Sequence, residues 1–154
     1  MAEVLLVAAT MTMGLATGAF VIYAHTVMPA LGGLDDDTFV RSFRALDVAI
    51  INPWFMGGGF LGAPVLTALA AVAWWDEDPF WWIVGALAAY AVTFVVTMAV
   101  NVPRNDALKA AGETADPTAV RTAFDEQRWV RWNLLRVLTC LVALALLCVA
   151  LVEV

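Results

Sequence analysis

The side chains with chemical potential in this chain are few, and they gather at one end of its hydrophobic runs: His25, Asn52, Asn101, Arg104, Asn105, Asn133 and Arg136. Crossing a bilayer needs no such cluster. His25 is the only histidine, and near neutral pH it alone takes or gives a proton without a large pKa shift. An interfacial imidazole bonded to a loop carbonyl is the equally weighted alternative. Trp129, Asn133 and Arg136 recur at i, i+4 and i+7, so they share one helical face. Arg136 lies about a turn deeper than snorkelling requires. An intramembrane arginine costs several kcal/mol unless paired or hydrated and marks a functional candidate. A structural pair with Asp47 or Asp106 is the competing account.

Two further motifs flank the cluster. In Asn101-Val-Pro103-Arg104-Asn105-Asp106, Pro103 cannot donate its backbone bond, so a helix is expected to kink there and free a carbonyl near Ala99. Termination needs the proline and one asparagine; the rest of the set points to function. In Asn52-Pro53-Trp54-Phe55, helix initiation with Asn52 as cap accounts for the first two residues. The following Gly57-Gly58-Gly59 either admits a close neighbouring helix or leaves room for a ligand. Close packing against a small-residue face at Gly14 and Gly18 is the favoured reading.

The elements that must position these groups follow from composition. With 63% hydrophobic and 14% charged residues, and a mean hydropathy of +0.85, the 154-residue chain is too apolar for a soluble domain. Runs over 4–23, 53–75, 81–100 and 134–152 approach the roughly 20 apolar residues a transmembrane helix needs. Backbone hydrogen bonding in lipid then dictates helices. All eight basic residues fall in, or at the edge of, the two longer connections. The positive-inside rule therefore places both termini outside and the polar cluster at the cytoplasmic end. Trp74, Trp75, Trp81 and Trp82 mark the outer interface, and Trp54, Trp129 and Trp132 the inner one. No basic segment precedes the first run, which argues for a retained helix rather than a cleaved signal.

The expected fold is all-α: a single domain over 1–154, an antiparallel four-helix transmembrane bundle with short amphipathic helices in the two cytoplasmic loops. In the first loop Asp37 is expected to cap a helix from Thr38 to about Ile51, with an apolar stripe of Phe39, Phe43, Leu46 and Ile50 beside Arg41, Arg44 and Asp47. It should lie on the membrane or under the bundle. In the second, a helical segment ends at Gly112, and Asp116 with Pro117 opens another that runs directly into the fourth span. Cys140 and Cys148 sit about 12 Å apart along one helix and cannot bond to each other. The net charge of −6 is spread as solvated surface, and no basic stripe suits nucleic acid.

Taken together, Tyr23-Ala-His25-Thr-Val-Met-Pro29, Ile51-Asn52-Pro53-Trp54-Phe55, Asn101-Val-Pro103-Arg-Asn105-Asp-Ala-Leu and Arg128-Trp-Val-Arg-Trp132-Asn133-Leu-Leu-Arg136 resemble the anthrone oxygenase-like family of small four-span membrane proteins. The resemblance runs nearly the full chain. It implies oxidation of a lipophilic phenolic or polyketide substrate by dioxygen, anthrone to anthraquinone; the spans and loop charges, for their part, point to an integral protein of a bacterial-type cytoplasmic membrane. Under it His25 is the base, and Arg136 with Asn133 and Asn101 holds the phenolate or enolate oxygen. Trp132 and Trp54 stack on the ring, with Asn52, Arg104, Asn105 and Trp129 completing the substrate site. Such chemistry needs no cofactor, and none is expected: no nucleotide or flavin motif occurs, and the scattered His, Cys and Asp residues form no familiar metal set. His25 with Asp47 or Asp106 across a dimer is the arrangement that leaves a metal open. The Gly14 and Gly18 face permits a homodimer, although packing within the monomer explains it equally. The contrasting class is a non-catalytic membrane module that binds or carries a lipophilic molecule, or serves as an accessory subunit. It would use the arginine and asparagines without needing His25 to titrate.

Overall fold

A computed structural model describes every residue except Glu113. Its helices are α1 (Ala2–Gly32), α2 (Asp36–Ile50), α3 (Pro53–Ala73), α4 (Phe80–Ala110), α5 (Pro117–Phe124) and α6 (Glu126–Val152). Among the described residues there is no strand. Helices α1, α3 and α4, and the stretch Pro117–Val152 that ends in α6, are long and apolar enough to cross a membrane. Contacts run α1 to α3, α3 to α4, α4 to α6 and α6 back to α1, so chain neighbours are spatial neighbours, as in an up-down-up-down bundle. The core along the bundle axis is built from small and aliphatic residues, among them Leu6, Ala9, Met13, Ala63, Ala86, Cys140 and Leu147. The tryptophans of the short α3–α4 turn project outward, Trp75, Trp81 and Trp82 being exposed.

Three of the four long helices are distorted at the same end, and prolines explain where. Each contains one π-turn: Tyr23–Val27 in α1, Met56–Phe60 in α3 and Thr97–Asn101 in α4. Each is closed by an i→i−5 bond, from Met28 to Tyr23, Leu61 to Met56 and Val102 to Thr97. A proline follows within four residues in every case, at Pro29, Pro64 and Pro103. With no N–H to offer residue i−4, each proline frees a carbonyl, and the helix widens to accommodate it. The kink expected at Pro103 is thus taken up by a π-turn. Two side chains cover the loosened backbone: Tyr90 donates its hydroxyl to the Phe60 carbonyl that Pro64 leaves (2.7 Å), and Arg104 Nη1 donates to the Val100 carbonyl (2.9 Å).

The long connections fold into a cap under this end. Helix α2 begins two residues earlier than the sequence suggested, because Asp35, not Asp37, is its cap and accepts from the Thr38 amide (3.0 Å). Its buried face carries Phe39, Val40, Phe43 and Asp47, whereas Leu46 points out. Phe39, Phe43, Phe124 and Trp129 form an aromatic cluster with Met28, Leu31 and Leu108. Arg44 donates to the carbonyls of Leu108 (3.3 Å) and Ala111 (2.7 Å), seating α2 against the C-terminal end of α4. Arg121 clasps Gly32, Leu34, Asp36 and Glu126. Helix α4 ends at Ala110, short of Gly112, and α5 opens at Asp116 and Pro117 as expected. It does not run on into α6: Asp125 takes a left-handed conformation (φ 54°) and caps α6 through the Arg128 amide. An aspartate tolerates that region better than most residues.

Glycine is required where the π-turn of α3 brings backbone close. A Cβ on Gly62 would collide with the Gly57 carbonyl, while one on Gly58 would meet nothing within 4 Å. Gly59 rests on the Ala16 backbone (3.6 Å to a Cβ position), so close packing holds at that glycine, with Ala16 rather than Gly14 or Gly18 as its neighbour. Gly62→Ala is expected to lower stability by about 1–3 kcal/mol, and Gly58→Ala to leave it unchanged or slightly raised, in thermal unfolding of the detergent-solubilised protein.

The hydrogen bonds from the Thr38 amide and then its hydroxyl hold the Asp35 carboxyl below the usual carboxylate range. A depressed folded-state value stabilises α2 above the unfolded value of about 3.9, and that support is lost as pH falls through the lower folded value. Amide exchange in α2 should show protection declining on the acid side in the wild type. In Asp35→Ala protection should be weaker at neutral pH, and the gap between the two should close as the medium is acidified.

Candidate functional site

The distorted end of the bundle encloses a cavity of about 270 Å³, just below the roughly 300–1,000 Å³ typical of small-molecule sites. The π-turns face it: Tyr23, Met56, Phe60, Thr97, Met98 and Asn101 all line it. Turns of this kind recur at functional sites because they reposition side chains without ending a helix. Helix α2 supplies Phe43, Asp47 and Ile50, and α6 supplies Trp129 and Arg136. The walls are mostly apolar and aromatic. Several of the lining residues, Ile51, Met98 and Asp106 among them, are exposed, so the cavity is open to the surroundings rather than sealed.

Arg136 forms one pole. It is only 5% exposed, and among the described residues no carboxylate pairs with it. Its Nη2 donates to Asn133 Oδ1 (2.8 Å) and its Nη1 to Thr97 Oγ1 (3.4 Å). Phe20 and Trp129 present ring faces to its guanidinium at 4.7 and 5.2 Å. Asn133 is fixed in turn by donating to the Phe20 carbonyl (3.3 Å). Arg136 Nε and Asn101 Oδ1 are buried with no hydrogen-bond partner in the protein. One is a donor and the other an acceptor, in a region where an unmet polar group costs about 1–3 kcal/mol.

The second pole is a chain of polar groups. Trp129 Nε1 donates to Asn105 Oδ1 (2.8 Å), Asn105 Nδ2 donates to Asp47 Oδ1 (2.6 Å), and Lys109 pairs with Asp47 Oδ2 (2.8 Å) and with Asp106 (3.0 Å). The structural partner of Asp47 is therefore Lys109 and not Arg136, and Asp106 likewise pairs with Lys109. The arrangement as a whole is an aromatic box with an uncountered cation at one side and a neutralised carboxylate at the other. It suits a flat apolar molecule bearing an oxygen that is anionic or becomes so.

The structure gathers Asn101, Asn105, Trp129 and Arg136 at the cavity, with Asn133 directly behind. It does not gather the others. His25 is exposed, with Nδ1 2.7 Å from Thr26 Oγ1, and does not line the cavity. Tyr23 does, and a residue two positions further along a helix lies about 200° round from it. Asn52 is spent as a cap, accepting from Phe55 and donating to Ala49. Trp54 is 76% exposed, and Trp132 lies with Arg128 and Arg131 along a separate shallow depression. Arg104 serves the Val100 carbonyl. Sequence reasoning missed Tyr23, Asp47 and Lys109. An acidic residue in register with Phe39 and Phe43 was the available signal for Asp47, since a solvated carboxylate belongs on the other face. Among the described residues no three of His, Cys, Asp and Glu converge to hold a metal ion.

A family model described as anthrone oxygenase matches residues 52–146, and no curated protein or solved structure matches the chain. The matched stretch contains Asn101, Asn105, Trp129, Asn133 and Arg136.

An uncountered buried guanidinium is costly, and its replacement by an apolar side chain of similar length relieves that cost. Arg136→Met should raise stability by about 1–3 kcal/mol in detergent while abolishing binding of acidic phenols, measured side by side by thermal unfolding and equilibrium dialysis.

Proposed function

The chain belongs to the anthrone oxygenase family, and from that premise we propose that it oxidises a lipophilic phenolic ketone of the anthrone type with dioxygen inside the bundle. The observation that carries this reading is the buried, uncountered Arg136 at the side of an open aromatic cavity. A flat, membrane-soluble substrate enters that cavity, and its rings pack against Phe20, Phe60 and Trp129.

Arg136 acts on the charge that develops. Loss of the proton from the ring methylene leaves an electron pair delocalised onto the ketone oxygen. A preorganised guanidinium in an apolar cavity stabilises that oxygen more in the anion than in the ketone, which lowers the barrier. Asn101 Oδ1, its lone pairs unmet, accepts from a neighbouring phenol hydroxyl. The enolate passes one electron to dioxygen, the two radicals combine as a hydroperoxide at the same carbon, and loss of water leaves the quinone carbonyl. One substrate and one dioxygen thus give one quinone and one water. Residues contribute binding, orientation and charge stabilisation, and the walls keep water from the reacting carbon. The cavity end of the bundle carries the basic connections, which by the positive-inside rule supports a cytoplasmic placement of the site.

Oxygen uptake and quinone formation by the purified protein in detergent, offered a phenolic anthrone, test the reading. Turnover above the spontaneous rate, reduced by about 10²- to 10³-fold in Arg136→Met, is the expected result. Saturable binding of the anthrone with oxygen uptake no faster than background would instead show a carrier or accessory module.

A further inference from the structure

The oxygenase reading needs a proton acceptor, and the residue that the sequence offered lies outside the cavity. We propose that Asp47 takes the proton from the substrate carbon, with Asn105 and Trp129 as positioning residues and Lys109 with Asp106 leading to water. This inference rests on the reading above.

Three observations carry it. Asp47 is the carboxylate on the buried face of α2, its side chain 10% exposed, and it lines the cavity. Lys109 next to it is 25% exposed and Asp106 beyond is 61% exposed, so the polar chain climbs from the cavity to the surface within three side chains. The orientation of the chain is also fixed. An indole N–H only donates, so Asn105 must turn its oxygen to Trp129 and its amide to Asp47. A carboxylate so held accepts a hydrogen bond on Oδ1 and meets Lys109 as an ion pair at Oδ2, an oxygen that is buried and takes no hydrogen bond within the protein. A carboxylate anchored only for stability would need Lys109 alone. The remaining titratable groups at the cavity are Tyr23, a neutral phenol at physiological pH, the Arg136 guanidinium, and Asp106, which is mostly exposed.

The step balances without an oxidant. The substrate C–H bond breaks, its electron pair stays with the carbon and spreads to the oxygen at Arg136, and an O–H bond forms on Asp47. Neutral Asp47 then returns its proton to water reached past Lys109, which stays paired with Asp106 meanwhile. Dioxygen enters only after the enolate exists, so the proton step can be followed alone.

Anaerobic exchange of the ring-methylene hydrogens of a phenolic anthrone in deuterium oxide isolates that step, with binding measured in parallel by equilibrium dialysis. The wild type should accelerate exchange, and Asp47→Asn should bind the anthrone but lose at least about 100-fold in exchange rate. Asp47→Glu should keep part of the rate, which guards against an asparagine variant that fails to fold. Asn105→Ala should lower the maximal exchange rate about tenfold with KM little changed, a split that loss of a merely structural contact would not give. Exchange at the wild-type rate in a folded Asp47→Asn protein overturns the assignment while leaving the oxygenase reading standing. Exchange kept in Asp47→Asn but lost in His25→Ala also overturns it and returns the role to His25. A wild type that accelerates neither exchange nor oxygen uptake overturns both.

Discussion

A guanidinium buried among apolar helices with no carboxylate to neutralise it is the constraint to which the rest of this end of the molecule answers. Taking an ion out of water costs several kcal/mol even after the protein relaxes. Arg136 recovers part of that through Asn133, Thr97 and the faces of Phe20 and Trp129. Each of those partners must itself be held. Asn133 is fixed on the Phe20 carbonyl, Thr97 donates to the Thr93 carbonyl, and Trp129 is locked by Asn105. The need to satisfy one cation thus fixes α1, α4 and α6 relative to one another.

The space beside that cation is made by proline. Regular helices packed through small residues close on each other and leave no room for a ligand. Pro29, Pro64 and Pro103 each withhold a backbone donor, and the π-turns that precede them widen three helices at one level. A distortion inside an apolar bundle is tolerable only if the freed carbonyls find donors. Tyr90 supplies one to Phe60, the carbonyl that Pro64 leaves, and Arg104 adds a side-chain bond to the neighbouring Val100 carbonyl. Functional space and satisfied backbone therefore arise from the same few residues, and the remainder of the bundle, over Leu6, Ala63, Ile83 and Leu147, stays close-packed.

What was legible in the sequence follows from which signals are periodic. Four apolar runs of membrane length, the amphipathic helix between the first two and the Asp116–Pro117 start are all composition or capping signals, and the structure carries them. Arg136, Asn133 and Trp129 could be grouped because they share a face of one regular helix. The π-turns were not legible, since each adds a residue to a turn and shifts the face that follows. Tyr23 rather than His25 meets the cavity because residues two apart on a helix lie on nearly opposite faces. Trp54 and Trp132 are aromatic residues near a site by sequence alone, and the helix faces that carry them point elsewhere. Asp47 is legible from the sequence as a candidate partner of Arg136 or His25, whereas its spacing from Phe39 and Phe43 puts it with them on the buried face. The break at Asp125 depends on a left-handed residue that an aspartate permits but does not announce.

The separation of Arg136 from Asp47 is the choice that distinguishes a site from a structural pair. Both line one cavity, and a direct ion pair between them would have neutralised the interior. Instead Asp47 is met by Lys109 from the solvent side and Arg136 is met by neutral donors, acceptors and rings. Such an arrangement is less stable than a closed pair, because the guanidinium keeps an unmet N–H and Asn101 an unmet oxygen. Under the proposed function that cost is offset: a free cation and a hydrogen-bonded carboxylate face one cavity, oriented before a substrate arrives. Elsewhere along its axis the bundle core holds small, aliphatic and aromatic side chains and, among the described residues, no charge.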